Sequence, residues 1–156
     1  MKIKLLVVGK TSNSYLSSLI NDYSKRINHY MKFEIIIINN VKLKKINPLE
    51  LKKFEGNSLL KKINKKDLVF LLDEKGDSYS SIQFSKLIEN KTITKSKDLI
   101  FVIGGAYGFS SDLYDRCNST ISFSKMTTSH QLIRLFVAEQ LYRAFTIINN
   151  NPYHNN

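Results

Sequence analysis

The chain has 156 residues, of which 42% are hydrophobic and 24% charged, and its formal net charge is +11. This length predicts one domain over residues 1–156 with a substantial hydrophobic core, and the composition excludes an extensively disordered or fibrous protein. The longest apolar runs, 35–38 and 99–103, are far shorter than the roughly 20 residues that a membrane span requires. We therefore expect no membrane-spanning segment.

The first ten residues predict the cellular compartment, because their apolar stretch is too short for a signal peptide and has no small-residue cleavage site. We therefore expect a cytoplasmic protein. The single cysteine, Cys117, cannot form an internal disulfide. The three histidines are scattered and do not have metal-ligand spacing with it, which argues against a zinc scaffold.

The positive charge is concentrated in the first part of the chain. Residues 1–66 contain 15 Lys and Arg against four acidic residues, whereas residues 67–156 contain nine of each sign. Such a basic surface attracts polyanions, above all nucleic acid, although a Lys-, Asn- and Ile-rich composition also results from AT-rich coding. The candidates for phosphate contacts are Lys42, Lys44, Lys45, Lys52, Lys53, Lys61, Lys62, Lys65 and Lys66.

Hydrophobic periodicity predicts strands that alternate with helices. The predicted strands are 2–8, 33–38, 67–72, 98–103 and 120–123. The predicted helices are 15–30, one after Pro48, one capped by Ser80 with Ile82, Leu87 and Ile88 inward, 111–117 and 129–148, and a turn is expected at 73–78. This order, with strands that are apolar throughout, favours a mainly parallel sheet with helices on both faces.

The last predicted helix is apolar on more than one stripe, so it should be buried on more than one side. Its charged residues Arg134, Glu139 and Arg143 have the spacing of an exposed stripe. The polar tail 149–156 that follows is expected, by default, to be a frayed terminus.

The loops after the third, fourth and fifth predicted strands are candidate ligand sites, because open α/β sheets bind ligands at that edge. Residues 104–108 (GGAYG) either permit close approach of a ligand or form a tight turn. Residues 122–130 are rich in hydroxyls, and they either bind a ligand or cap the last helix through Thr128 or Ser129. A dinucleotide site is not expected, because GGxxG differs from GxGxxG.

Several segments taken together resemble one known family. They are FVIGGAYG at 101–108, SFSKMT at 122–127, HQLIR at 130–134, EQLYRAF at 139–145 and PYH at 152–154. In this order they resemble the ribosomal RNA large subunit methyltransferase H family, a minimal member of the SPOUT methyltransferases. The resemblance covers the whole length of the chain.

This resemblance implies a C-terminal trefoil knot, a homodimer and the methyl donor S-adenosylmethionine, without a metal. It also implies methylation of N3 of a pseudouridine in 23S ribosomal RNA of the assembled ribosome. The matching cofactor-binding positions are Leu72, Gly104, Phe123, Ser124, Lys125, Met126, Thr127 and Thr128. Ser129 replaces the proline that the family usually has there, which leaves the loop less preorganised.

The same resemblance implies catalytic roles for Arg143, Tyr153 and His154, with His154 acting either as a base or as an RNA contact. Two alternatives from other classes remain open on the sequence alone. One is a non-enzymatic, basic, ribosome-associated RNA-binding protein, and the other is an α/β nucleotide-binding enzyme that does not bind RNA.

Overall fold

A computed structural model describes residues 1–40, 47–93 and 96–155, so the candidate residues Lys42, Lys44 and Lys45 lie outside the described part. Strands and helices alternate along the chain as predicted. The strands are β1 (Ile3–Val8), β2 (Phe33–Ile38), β3 (Leu68–Ser78), β4 (Leu99–Ile103) and β5 (Ser119–Ser122). The helices are α1 (Ser14–Asn28), α2 (Pro48–Leu60), α3 (Ser81–Thr92), α4 (Ser111–Arg116) and α5 (Leu132–Ile148).

The strands form one parallel sheet in the order β2-β1-β4-β3-β5. Strand β1 pairs with β2 from Ile3 opposite Phe33 to Val8 opposite Ile38, and all six of its residues are buried. Continuous apolar runs are what a sheet covered on both faces requires. The prediction of a mainly parallel sheet is therefore confirmed.

Helices cover both faces of the sheet, as predicted. Successive residues of a strand point to opposite faces, so Leu5 joins one hydrophobic core and Leu6 the other. The first core contains Ile27 of α1, Phe84 of α3 and Leu141 of α5. The second contains Leu59 of α2 and Leu113 of α4.

Side-chain caps explain where three helices begin. Asn13 Oδ1 accepts a hydrogen bond from the amide of Leu16, and Asn47 does the same for Glu50, just before a proline at the first helical position. Ser80 and Gln83 form a reciprocal capping box at α3. The predicted cap at Ser80 is therefore confirmed.

The predicted turn at 73–78 is wrong, because β3 continues to Ser78. The register against β5 shifts within this segment, so that both Leu72 and Asp77 are paired with Ile121. Gly76 permits this close pairing, since a Cβ there would lie 2.6 Å from the amide nitrogen of Ile121. In α3 the inward position of Ile88 is confirmed, but Ile82 is 39% exposed.

Helix α5 begins three residues later than predicted and is buried on several sides, through Val137, Ala138, Leu141 and Phe145. The loop before it crosses the carboxyl ends of β3 and β4, since β5 lies at the sheet edge and α5 begins beside β1.

The trefoil knot stays a prediction. Among the described residues, no helix is long and apolar enough to cross a membrane.

Candidate functional site

A cavity of about 440 Å³ lies at the carboxyl ends of β3, β4 and β5. Three segments form its walls: residues 72–75 of β3, where the register against β5 shifts, residues 103–109 at the end of β4, and parts of 121–130 after β5. Tyr114 and Ile133 complete the lining. These are the strand ends at which a parallel α/β sheet binds its ligands. A volume of this size is typical of pockets for small molecules.

The glycine-rich loop after β4, residues 104–108, forms one wall of the cavity. Gly108 adopts a left-handed conformation (φ +79°) and its amide donates to the carbonyl of Gly105 at 3.1 Å. A Cβ on Gly104 would lie 3.2 Å from the carbonyl oxygen of Gly108 and 3.2 Å from the ring of Phe109. The segment is therefore a tight turn, as one of the two interpretations of its sequence predicted, and it also forms a wall of the cavity; close approach of a ligand to it stays a prediction.

The loop after β5 is ordered by its own hydroxyl groups. Ser122 Oγ donates to the carbonyl of Ser124, whose Oγ accepts from the amide of Met126. Thr127 Oγ1 donates to Glu74 Oε2 at 2.8 Å, and Ser129 Oγ accepts from the amide of Leu132 at the start of α5. The loop thus caps the helix and also lines the cavity.

Of the positions that the family resemblance marks for the cofactor, the structure brings all but one to the cavity. The residues that line it are Leu72, Gly104, Phe123, Ser124, Met126, Thr127 and Thr128. Lys125 is exposed and is not part of the lining. Its role in binding stays a prediction.

Four polar residues of the cavity wall were missed from the sequence: Asp73, Glu74, Lys75 and Tyr114. The Tyr114 hydroxyl donates to Asp73 Oδ2 at 2.5 Å, and burial with this carboxylate raises the pKa of Tyr114 to about 12. The phenol therefore stays protonated and holds α4 against the end of β3. The available signal was a pair of acidic residues directly after an apolar strand, but it was assigned to a turn.

Arg134 is buried, not exposed as its spacing indicated, with only 1% of its surface accessible. Its guanidinium donates to the carbonyl oxygens of Val8 at 2.7 Å and Gly9 at 2.8 Å, and also to His130 O and Thr11 Oγ1. Burial lowers the pKa of this side chain. Arg134 thus fixes the start of α5, and the loop before it, against the end of β1.

The tail is docked and not frayed. The Tyr153 ring packs on Tyr142 at 4.7 Å between centroids, and its hydroxyl donates to Glu139 Oε1 at 3.2 Å. The Arg143 guanidinium lies 4.7 Å from the centre of the Tyr153 ring, and its Nη1 is 3.2 Å from Nδ1 of His154. The three predicted catalytic residues therefore form one cluster.

The electrostatics of this tail cluster, defined as Glu139, Arg143, Tyr153 and His154, are set by one ion pair. Arg143 Nη2 and Glu139 Oε1 are 2.6 Å apart and partly buried, and this contact raises the pKa of Arg143. Burial, together with the neighbouring Tyr23 and Glu139, raises the pKa of Tyr153. Tyr153 therefore stays protonated and can donate a hydrogen bond, but it is unsuited to act as a base.

Within one chain, the tail cluster and the cavity are separate. Ile133 lines the cavity at the start of α5, whereas Arg143 is ten residues further along the same helix. At a rise of about 1.5 Å per residue, ten residues correspond to about 15 Å. The tail cluster of a chain thus lies along α5 from the cavity wall of the same chain, at about 9 Å for Glu139, six residues after Ile133, and about 15 Å for Arg143.

The sequence matches the family model described as Predicted SPOUT methyltransferase over residues 1–154. Proteins named ribosomal RNA large subunit methyltransferase H from Christiangramia forsetii and Flavobacterium psychrophilum are 51% and 48% identical over 155 residues, with 99% of both chains covered. A solved structure, Lpg2936 from Legionella pneumophila with bound SAM, has the same fold (TM-score 0.51, 10% identity) over 92% of this chain and 66% of its own. The chain therefore belongs to the SPOUT methyltransferases and, within them, to the ribosomal RNA large subunit methyltransferase H family.

Proposed function

We propose that this protein transfers a methyl group from S-adenosylmethionine to N3 of a pseudouridine in 23S ribosomal RNA of the assembled ribosome. One observation supports this most directly: the strand-end loops that carry the family's cofactor motifs meet around a single cavity. The protein would act in the cytoplasm as one domain over residues 1–156. No metal is needed for a methyl transfer from a sulfonium.

The cavity suits the chemistry of this methyl donor. Its glycine-rich wall offers backbone groups at close range, as binding of an adenosine moiety requires. Asp73 and Glu74 place carboxylates in the same wall, where they complement the positive charges of a sulfonium and an ammonium group. The apolar part of the lining includes Leu72, Phe123 and Ile133.

Methyl transfer is an in-line displacement, so the main task of the protein is to align donor and acceptor and to exclude water. When bound, the cofactor supplies an activated methyl group. The N3 imide of the acceptor must lose its proton, to His154 or to water, before the nitrogen attacks the methyl carbon, and a nearby positive charge favours the resulting anion. Arg143 carries such a charge, and its guanidinium is held in place by Glu139.

The proposed homodimer follows from the separation of the tail cluster and the cavity, because the tail of one subunit would reach the cavity of its partner. An exposed apolar face supports this arrangement. It consists of Tyr15 and Leu19 of α1 and Leu132 and Phe136 of α5, which are between 45% and 82% exposed. The starts of these helices are adjacent, since the amide of Ser12 donates to Gln131 Oε1. The ring centroids of Phe136 and the cavity residue Phe123 are 5.6 Å apart. A second copy of the chain on this face would therefore sit beside the cavity.

The proposed function is tested by calorimetric titration with S-adenosylmethionine and by mass spectrometry of 23S rRNA from a strain that lacks the protein. We expect one cofactor site per chain and the loss of a single methylated pseudouridine, which returns when the gene is restored. A protein that binds ribosomes but not the methyl donor would be the non-enzymatic alternative. Activity on a nucleotide without RNA would indicate the other alternative.

Gly104→Val is expected to weaken binding of the methyl donor. Overpacking typically costs about 1–3 kcal/mol, and such a cost in the bound state corresponds to roughly fivefold to 150-fold in affinity. The Cβ alone would contact Gly108 and Phe109 at 3.2 Å, and valine adds two methyl groups. Titration of Gly104→Ala, which adds only the Cβ, should show a smaller loss. A folded Gly104→Val protein with wild-type affinity would contradict the placement of the cofactor.

Replacing Lys61, Lys62, Lys65 and Lys66 by Gln is expected to flatten the salt dependence of ribosome binding, because each phosphate contact contributes roughly 0.7–0.9 to the log–log slope. These side chains are exposed, and Arg116 Nη2 orders their loop by donating to the carbonyls of Asn64 and Asp67. They lie at the amino end of β3, away from the cavity at Leu72. Affinity for the methyl donor should therefore stay unchanged. An unchanged salt slope would show that these lysines are solvated and do not contact phosphates of the ribosome.

A further inference from the structure

Glu55 is a buried carboxylate that the proposed chemistry does not use. It lies on α2, only 6% of its surface is accessible, and its Oε2 has no hydrogen-bond partner among the described residues. Burial raises the pKa of this side chain. Because an unpaired buried carboxylate is costly, its retention at this position requires an explanation.

The carboxylate stands directly behind the glycine-rich wall of the cavity. A Cβ on Gly105 would lie 2.4 Å from Glu55 Oε2, so only glycine fits between the carboxylate and the cavity. On the other side of the loop, Gly56 packs so closely on Ser110 that a Cβ there would lie 2.1 Å from Ser110 Oγ. Helix α2 is therefore seated against both ends of the segment 105–110.

Potential donors lie in the same loop. The amide of Gly108 is used in the turn with Gly105, whereas the amides of Ala106 and Tyr107, two exposed residues, donate to no protein group in the described part of the chain. Two buried polar atoms without a partner, Glu55 Oε2 on α2 and Ser110 Oγ, thus border a loop whose Ala106 and Tyr107 amides are not used within the described part of the chain.

We propose that Glu55 is a positioning residue, which accepts a hydrogen bond from an amide of the loop 104–108 and holds this loop in the conformation that binds the methyl donor. The inference rests on the proposed function, since it assumes that the cavity binds S-adenosylmethionine. In the free protein the carboxylate is desolvated and unpaired. Pairing on binding removes this penalty, so the contact contributes to affinity and not to the stability of the free protein.

Two variants separate this role from a structural one. Glu55→Met has a similar size and no charge, so we expect it to unfold at the same or a higher temperature. Its dissociation constant for S-adenosylmethionine should rise about tenfold or more, as for one lost charge-assisted hydrogen bond. Glu55→Gln keeps an acceptor oxygen at the same reach and should lose less affinity.

Hydrogen exchange provides a second measurement. On addition of S-adenosylmethionine, amides 105–107 should become protected in the wild-type protein and in Glu55→Gln, but not in Glu55→Met. Ser85→Ala is the matched control, because Ser85 is 2% exposed on the opposite face of the sheet, and among the described residues its hydroxyl donates only to the carbonyl of Ile82 in its own helix. It should change neither affinity nor loop protection.

Wild-type affinity and loop protection in Glu55→Met would overturn the inference, even though the proposed function stands. Equal losses of affinity in Ser85→Ala and Glu55→Met would do the same, because they would indicate a general effect of removing buried polar groups. A wild-type protein that does not bind S-adenosylmethionine would overturn the proposed function and the inference with it.

Discussion

Replacement of His154 by alanine is expected to lower ribosome methylation by about 10²- to 10⁴-fold, the usual contribution of one general acid or base. The fold and the affinity for S-adenosylmethionine should stay close to wild type. His154 is only half-buried, and its hydrogen bond to Arg143 at 3.2 Å is a contact between side chains at the end of the chain. Single-turnover methylation of ribosomes, with calorimetry and thermal unfolding alongside, measures all three quantities.

The exposed neighbour Asn155 provides the matched control, since Asn155→Ala should methylate at the wild-type rate. Deletion of 152–156 should abolish methylation in the same way, but it should also lower the unfolding temperature. The reason is the docked Tyr153, which bonds to Glu139 and packs on Tyr142. Wild-type turnover in His154→Ala would contradict this role and indicate that Arg143 and the loop 127–130 carry the catalysis.

The strands and most helix boundaries could be predicted from the sequence because local signals determine them. The run FEIIII predicts β2 to the residue, and Ser80 with Gln83 marks the start of α3. The segment Asp73–Ser78 could not be predicted in this way, because its composition is that of a turn. Its strand conformation depends on Gly76 packing against the backbone of Ile121 in β5, which is a long-range contact.

The candidate site was predictable where family motifs carry it, and not where side chains pair over long distances in the sequence. Arg134 has no acidic partner among the described residues, and its acceptors are backbone carbonyls of Val8 and Gly9. Helical spacing contains no information about such partners. Glu55 was missed for the same reason, since only the folded chain brings α2 to the loop at Gly105.

Two variants are expected to restore activity when they are combined and assayed at a concentration of S-adenosylmethionine far below the Kd of Gly104→Val, because the proposed active site takes its cavity from one subunit and its tail from the other. At this concentration Gly104→Val leaves its cavity largely empty and keeps the tail, whereas His154→Ala keeps the cavity and disables the tail. In a mixed dimer, the intact cavity of one subunit faces the intact tail of its partner. Refolding an equal mixture makes about half of the dimers mixed, so about one quarter of the sites should be active.

The control for this complementation is a mixture of each variant with itself, which should stay inactive. Sedimentation should show a dimer for the wild type and for both variants. Placing a charge on the apolar face, as in Leu19→Asp, should favour monomers and prevent complementation, since that side chain is 49% exposed on α1. Two results would contradict the shared site: a mixture that stays inactive although mixed dimers form, or a stable monomer that methylates ribosomes at the full rate. Each chain would then use its own tail. In that case α5 must rearrange, because Arg143 lies roughly 15 Å along the helix from the cavity.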